Sequence, residues 1–146
     1  MWRGVGGAED GAVGGCAVGK TGGVWCAVGG GGPRSVTGHA AMLCAAAWAP
    51  DGSALAAASG DNTARVWSAG DWSCLATLTG HTDLVYACAW APDGSALATA
   101  SADNTARVWS AGDWSCLASL TGHTHLAYAC AWAPDGSALA TASGDN

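Results

Sequence analysis

A chain of 146 residues is the length of one ordinary domain and can bury a sizeable core; half of it is hydrophobic, with nine Trp and no Phe. A net charge of −6 with only five Lys and Arg excludes the basic stripe that nucleic acid or an anionic membrane surface would need, so neither is expected as a partner. Seven Cys, an odd number with no C-x-x-C pair, argue against a secreted disulfide framework and fit a reducing cytoplasm or nucleus.

The first segment, MWRGVGGAED, holds one Arg and no apolar core stretch, so it does not read as a signal peptide. Residues 1–36 are Gly-rich and contribute little side-chain area; they read as a degenerate blade ahead of the repeat units that start at residue 37, or as a disordered segment. Within them Gly14, Gly19, Lys20 and Thr21 of GGCAVGKT fit G-x-x-x-x-G-K-[ST], the loop that cradles nucleotide phosphates. A phosphate loop needs a helix behind it whose N-terminus faces the anion. The next stretch, TGGVWCAVGGGG, cannot supply one, because Gly in a helix interior costs about 1 kcal/mol relative to Ala.

From residue 37 onward the chain repeats. His39, His81 and His123 each follow a Gly and stand at equal intervals of 42 positions, as do Trp48, Trp90 and Trp132. Residues 39–80 laid on 81–122 disagree at 9 of 42 positions, and 123–146 laid on 81–104 disagree at three. A period of this size is the signature of a solenoid or a propeller. The longest apolar run, 40 to 49, is about half the ~20 residues that span a bilayer, and Pro50 ends it.

In the second unit LVYACAW reads as a strand that ends at the Pro-Asp-Gly turn of APDGS. ALATAS, ARVWS and SCLASLT come next as strands, separated by the short turns ADNT and AGDW. That is a four-stranded antiparallel meander. Val85 falls in phase with Cys88 and Trp90 only if one extra residue intervenes, which predicts a β-bulge near Tyr86–Ala87. Carried back by one period, GKTGGVW stands in register with DNTARVW, so Lys20 and Thr21 are expected in a tight turn between strands.

The stretch GHTDLVYACAWAPDGSALATASADNTARVWS resembles the WD-repeat unit of β-propellers, from its Gly-His through Pro-Asp-Gly to Asp-x-Thr-x-x-x-Trp. The resemblance implies an all-β fold, an incomplete β-propeller of four-stranded antiparallel blades. These are expected over residues 37–146, at about 39–78, 81–120 and 123–146, the last truncated. Trp67-Ser68 and Trp109-Ser110 stand where the family has Trp-Asp, which implies a looser turn after that strand.

The resemblance also implies a buried hydrogen-bond chain in each blade. In it Trp109 donates to Ser101, Ser101 meets His81, and His81 meets Asp103. The set recurs as His39, Ser59, Asp61 and Trp67, and without its Trp as His123, Ser143 and Asp145. Read alone, Ser, His and Asp could form a nucleophilic triad. Recurrence favours structure, since an active site is usually present once. No catalytic residue, cofactor or metal site is expected; His125 lacks a Cys or His partner at zinc spacing.

Six of the nine mismatches between the two full units fall at residues 40–44 and 46, opposite 82–86 and 88. In propellers of this family the Gly-His loops and the second turn of each blade form the implied recognition face. Met42, Cys44, Asp83, Leu84, Tyr86, His125, Leu126 and Tyr128 are the candidate contacts with other proteins or peptides. The function expected is a non-catalytic protein-interaction scaffold. The alternatives are a nucleotide-binding regulator using residues 14–21 and a truncated product without an independent fold. Unpaired strand edges in the truncated blade invite self-association.

Overall fold

The structure, a computed structural model, describes residues 16–18, 24–27, 33–36 and 38–145. The described residues form strands and no helix. The strands are β1 (Cys16–Val18), β2 (Val24–Ala27), β3 (Pro33–Val36), β4 (Leu43–Trp48), β5 (Ala54–Ser59), β6 (Ala64–Ser68) and β7 (Cys74–Leu78). The second half continues with β8 (Val85–Trp90), β9 (Ala96–Ser101), β10 (Ala106–Ser110), β11 (Cys116–Leu120), β12 (Ala127–Trp132) and β13 (Leu139–Ser143). They build four antiparallel sheets in chain order: β1–β3, β4–β7, β8–β11 and β12–β13. Two sheets are thus four-stranded meanders, as the repeat predicts. The first has three strands and the last has two among the described residues.

The turns arise from their residues. Gly94 takes φ 74 after Pro92-Asp93 and donates its N–H to the Ala91 carbonyl at 2.9 Å, while Asp93 accepts the Ser95 N–H at 2.9 Å. Asn104 adopts the left-handed φ of 69 that Asn tolerates, closing the tight turn from β9 to β10. The turn after Trp109, expected to be loose without an Asp, is closed by other groups. Ser110 Oγ accepts the Gly112 N–H at 3.2 Å, the Trp114 N–H meets the Ser110 carbonyl at 2.9 Å, and Asp113 accepts the Ser115 N–H at 3.0 Å. Trp114 has φ 60 there, and its ring stands edge-on to Trp90 with centroids 6.0 Å apart.

The bulge lies in the first strand of each unit. Val85 pairs with Ser101 and Ala87 with Ala100, so Tyr86 is the additional residue; the same shift recurs between Leu43 and Ala45 and between Ala127 and Ala129. The second strands, ALAAAS and ALATAS, are buried at every position. They do not alternate in polarity because both faces of the sheet are covered, and their small side chains let neighbouring sheets approach. One core cluster joins Ala56, Val66 and Leu78 of the β4–β7 sheet to Leu97 and Trp109 of the next.

Neighbouring sheets are tied along their first strands. Trp90 Nε1–H donates to the Ala47 carbonyl at 3.1 Å, and Trp132 Nε1–H to the Ala89 carbonyl at 3.0 Å, each reaching one unit back. Cys88 Sγ and Cys130 Sγ lie 3.8 Å from the Ala56 and Ala98 carbonyls across the same junctions. At one end of the sheets, Asn62 Nδ2 reaches the Thr82 carbonyl and Asn104 Nδ2 the Thr124 carbonyl, both at 3.4 Å.

Candidate functional site

Two features are candidates: the polar chain inside each unit and the surface made by the Gly-His loops. In the second unit the chain starts at Trp109, whose indole can only donate. Its Nε1 lies 2.9 Å from Thr99 Oγ1, which is 2.8 Å from His81 Nε2; His81 Nδ1 is 2.8 Å from Asp103 Oδ2. Thr99 accepts from the indole, and the Asp103 carboxylate requires Nδ1–H of His81 as its donor. With His81 neutral, its Nε2 lone pair accepts the Thr99 proton. Burial lowers the His81 pKa, more than the Asp103 hydrogen bond and charge raise it, and the Arg107 charge lowers it further. Burial would raise the Asp103 pKa, but hydrogen bonds from Thr105, His81 and the Thr82 N–H prevail and hold it at about 2.

The hydroxyl in the chain is therefore Thr99, not Ser101. Ser101 Oγ donates to the carbonyls of Asp83 and Leu84 at 2.9 and 3.0 Å and accepts the Asp103 N–H at 3.1 Å. The register gives the reason. Trp109 pairs with Leu97, so Thr99 is its diagonal neighbour, whereas Ser101 lies four residues along the strand, roughly 13 Å away. Ser59 and Ser143 have the same turn-closing role, donating to the Met42 carbonyl at 3.1 Å and the His125 carbonyl at 2.9 Å. With its hydroxyl so engaged and fully buried, Ser101 is not set against His81 as a nucleophile would be.

The first unit has the carboxylate pair, His39 Nδ1 to Asp61 Oδ2 at 2.8 Å, but Ala57 stands where Thr99 does. His39 Nε2 is buried without a hydrogen-bond partner among the described residues. The rings of His39 and Trp67 close to 5.6 Å between centroids, against 6.4 Å for His81 and Trp109 with the Thr between them. The third unit has His123 Nδ1 3.0 Å from Asp145 Oδ2 and His123 Nε2 2.8 Å from Thr141 Oγ1. Sequence reasoning missed Thr99 and Thr141. The signal was the Ala57/Thr99 difference, one of only three mismatches outside the first-strand cluster.

The Gly-His loops lie at the sheet end that carries the β5–β6 and β9–β10 turns. Thr82 N–H meets Asp103 Oδ2 at 3.1 Å and Ala102 N–H the Leu84 carbonyl at 2.9 Å. Gly80, at φ 138, leaves space that Arg107 occupies; a Cβ there would come within 2.5 Å of its Nη1. Of the candidate contacts, Met42 is 57 % exposed, Tyr128 50 % and Leu126 38 %. Asp83 and His125 are also exposed, while Cys44, Leu84 and Tyr86 are half-buried. Cys44, Tyr86 and Tyr128 are the bulge residues of their strands. Gly14, Gly19, Lys20 and Thr21 lie outside the described residues; the next described segment after them is strand β2, paired with β1 and β3.

The sequence profile of the WD domain, G-beta repeat family matches residues 32–68, 72–110 and 114–146. The chain belongs to the WD-repeat family. Each match begins near the last strand of one sheet and ends in the next, so this WD-repeat chain is an incomplete propeller whose blades interlock along the sequence. No curated protein matches the chain. WD repeats serve in general as protein-interaction scaffolds, which is the functional class the family gives this chain.

Proposed function

We propose that this WD-repeat chain is a non-catalytic scaffold that binds proteins or peptides through its Gly-His loop end. The observation that carries the reading is the contrast within the chain. Positions that build the blades are copied almost unchanged between units, while 40–44 and 46 differ from 82–86 and 88. Met42 lies in the first of these stretches and Leu126 and Tyr128 hold the corresponding positions of the third unit; all three are exposed. Tyr and Met suit contact surfaces, offering apolar area with adaptable or amphipathic ends. The acidic balance disfavours nucleic acid and anionic membranes as partners, and the half-buried thiols of Cys88 and Cys130, packed as small hydrophobes, fit a reducing cytoplasm or nucleus. Self-association through unpaired strand edges belongs to the same reading.

Selection of a displayed random-peptide library on the purified chain tests it. Enriched peptides, measured by fluorescence anisotropy, should lose binding to Met42→Ser and Tyr128→Ser variants, and peptides indifferent to both would refute the face assignment. A fluorescent ATP analogue that binds the chain but not its Lys20→Ala variant would put the nucleotide reading in its place. A far-UV spectrum without strand signal would favour a product that does not fold alone.

A further inference from the structure

The end of the sheets opposite the Gly-His loops carries a recess of its own. There the β4–β5 turn of one blade abuts the β8–β9 turn of the next, so closely that a Cβ on Gly94 would lie 3.8 Å from Pro50 Cδ. Between the two blades opens a cleft of about 320 Å³. Its lining includes Asp51 and Leu75 from the β4–β7 sheet and Trp90, Asp93 and Trp114 from the β8–β11 sheet. Both indoles are fixed before any ligand arrives. Trp90 is tied by its Nε1–H to the Ala47 carbonyl. Trp114 is held by the Ser110–Ser115 turn at a left-handed φ of 60 that bulky residues seldom adopt. Backbone strain of this kind gathers where a side chain has to be aimed. The two rings stand at 78° to each other with centroids 6.0 Å apart.

Charge decides what the cleft can hold. Asp51 and Asp93 each accept with Oδ1 the N–H of the serine two residues on, at 2.9 Å, and Oδ2 of each has no partner among the described residues. Hydrogen bonds from the side chain and N–H of Ser53, and of Ser95, hold both carboxyls below their ordinary value, so both are ionised at neutral pH. Among the described residues neither makes a salt bridge with Lys or Arg. Two uncompensated carboxylates beside two indoles suit an organic cation, which pairs with the oxygens and stacks on a ring face. A guanidinium fits better than an ammonium, being planar, weakly hydrated and able to present parallel N–H groups to a carboxylate. The exposed Leu75 offers apolar cover for the methylenes of an arginine stem. The volume is at the low end of the roughly 300–1,000 Å³ of small-ligand sites, which suits one side chain. We propose that this cleft takes an arginine side chain of a second polypeptide, so that the chain binds at both ends of its sheets and can bridge two partners. The arginine site itself stands apart from the reading of the Gly-His end.

Titration of the whole isotope-labelled chain with N-acetyl-arginine amide, followed by NMR at the indole N–H signals, tests the site. The Trp90 and Trp114 signals should shift saturably, with a Kd in the millimolar range for a single side chain. N-acetyl-citrulline amide, of the same shape without the charge, should leave them in place. Asp51→Asn and Asp93→Asn keep an oxygen for the serine N–H. Each should weaken binding roughly 2- to 5-fold, the worth of one exposed ion pair, and the double variant should weaken it more than either alone. Met42→Ser and Tyr128→Ser should change nothing at this end, so a failure of the Gly-His face leaves this site standing, and the reverse holds as well. Indole signals that do not move, equal shifts with the citrulline amide, or undiminished binding by the double variant would each overturn the proposal. A stronger response to N-acetyl-lysine amide would overturn the choice of a guanidinium.

Discussion

Replacing Ala57 by Thr should stabilise the chain. In the first full blade His39 Nε2 is buried without a partner among the described residues, and position 57 has no hydroxyl for Trp67 to meet. One blade on, Thr99 makes both bonds, at 2.8 Å to His81 and 2.9 Å to Trp109. Two new hydrogen bonds at about 0.5–1.5 kcal/mol each give a gain of about 1–3 kcal/mol. Opposing them is crowding. The His39 and Trp67 ring centroids stand at 5.6 Å where the Thr-containing blade has 6.4 Å, so the rings must part to admit the new side chain. Insertion of extra atoms into a packed core costs about 1–3 kcal/mol, and the low end applies because the next blade holds Thr99 fully buried in nearly the same sequence. The net is about 1 kcal/mol in favour of Ala57→Thr, a rise of about 4 °C in Tm for a chain of this size. Thr99→Ala should do the reverse and more, since it orphans both His81 Nε2 and Trp109 Nε1. Thermal melts of the two variants and the wild type measure this, and an NMR spectrum of the indole N–H groups shows whether Trp67 gains an acceptor. A lowered Tm for Ala57→Thr, or a Trp67 indole resonance that does not move, would refute the reasoning.

Acidification should remove stability in two windows. Burial depresses the pKa of His39 and His81 below 6.5, so the fold favours their neutral forms; their contribution is whole above pH 6.5 and declines below it. Asp61 and Asp103, at about 2 against 3.8, contribute fully above pH 3.8 and lose that contribution as pH falls towards 2. Urea midpoints from pH 8 to 2 check both windows, and a midpoint that climbs from pH 7 to pH 5 would contradict the first. Trp90→Phe removes the N–H donated to the Ala47 carbonyl and should cost about 0.5–1.5 kcal/mol in a urea titration; an unchanged midpoint would show that this bond does not hold the blades together. Brief alkylation at pH 8, mapped by mass spectrometry, should label the exposed Cys74 and Cys116 before Cys88 and Cys130. Burial pushes those two thiols up to about 12 and about 11, so little thiolate is present to react.

The period made most of the fold legible, because a segment that recurs at a fixed interval must find the same neighbours each time. Strand number, the Pro-Asp-Gly turns and the extra residue at Tyr86 all come from reading one unit with care. The identity of the buried hydroxyl did not. Thr99 and Ser101 lie two apart on the same side of β9, and periodicity alone cannot choose between two polar residues of equal parity. The choice rests on Trp109 pairing with Leu97, a cross-strand register set by the length of the ADNT turn. The role of Trp48, Trp90 and Trp132 was hidden for another reason. The recurrence of a Trp is visible, but the acceptor seen for Trp90 and Trp132 is a backbone carbonyl one unit earlier, and every residue has a carbonyl.

Those indole-to-carbonyl clasps give the molecule a unit of length. Adding or removing one whole period at a blade junction returns each Trp to a carbonyl and each thiol to its neighbour, so size can change by whole units without any new kind of contact being devised. An insertion of any other length inside the strands would leave an indole facing the wrong partner. Growth and shrinkage in whole steps are therefore the changes that this architecture tolerates most readily.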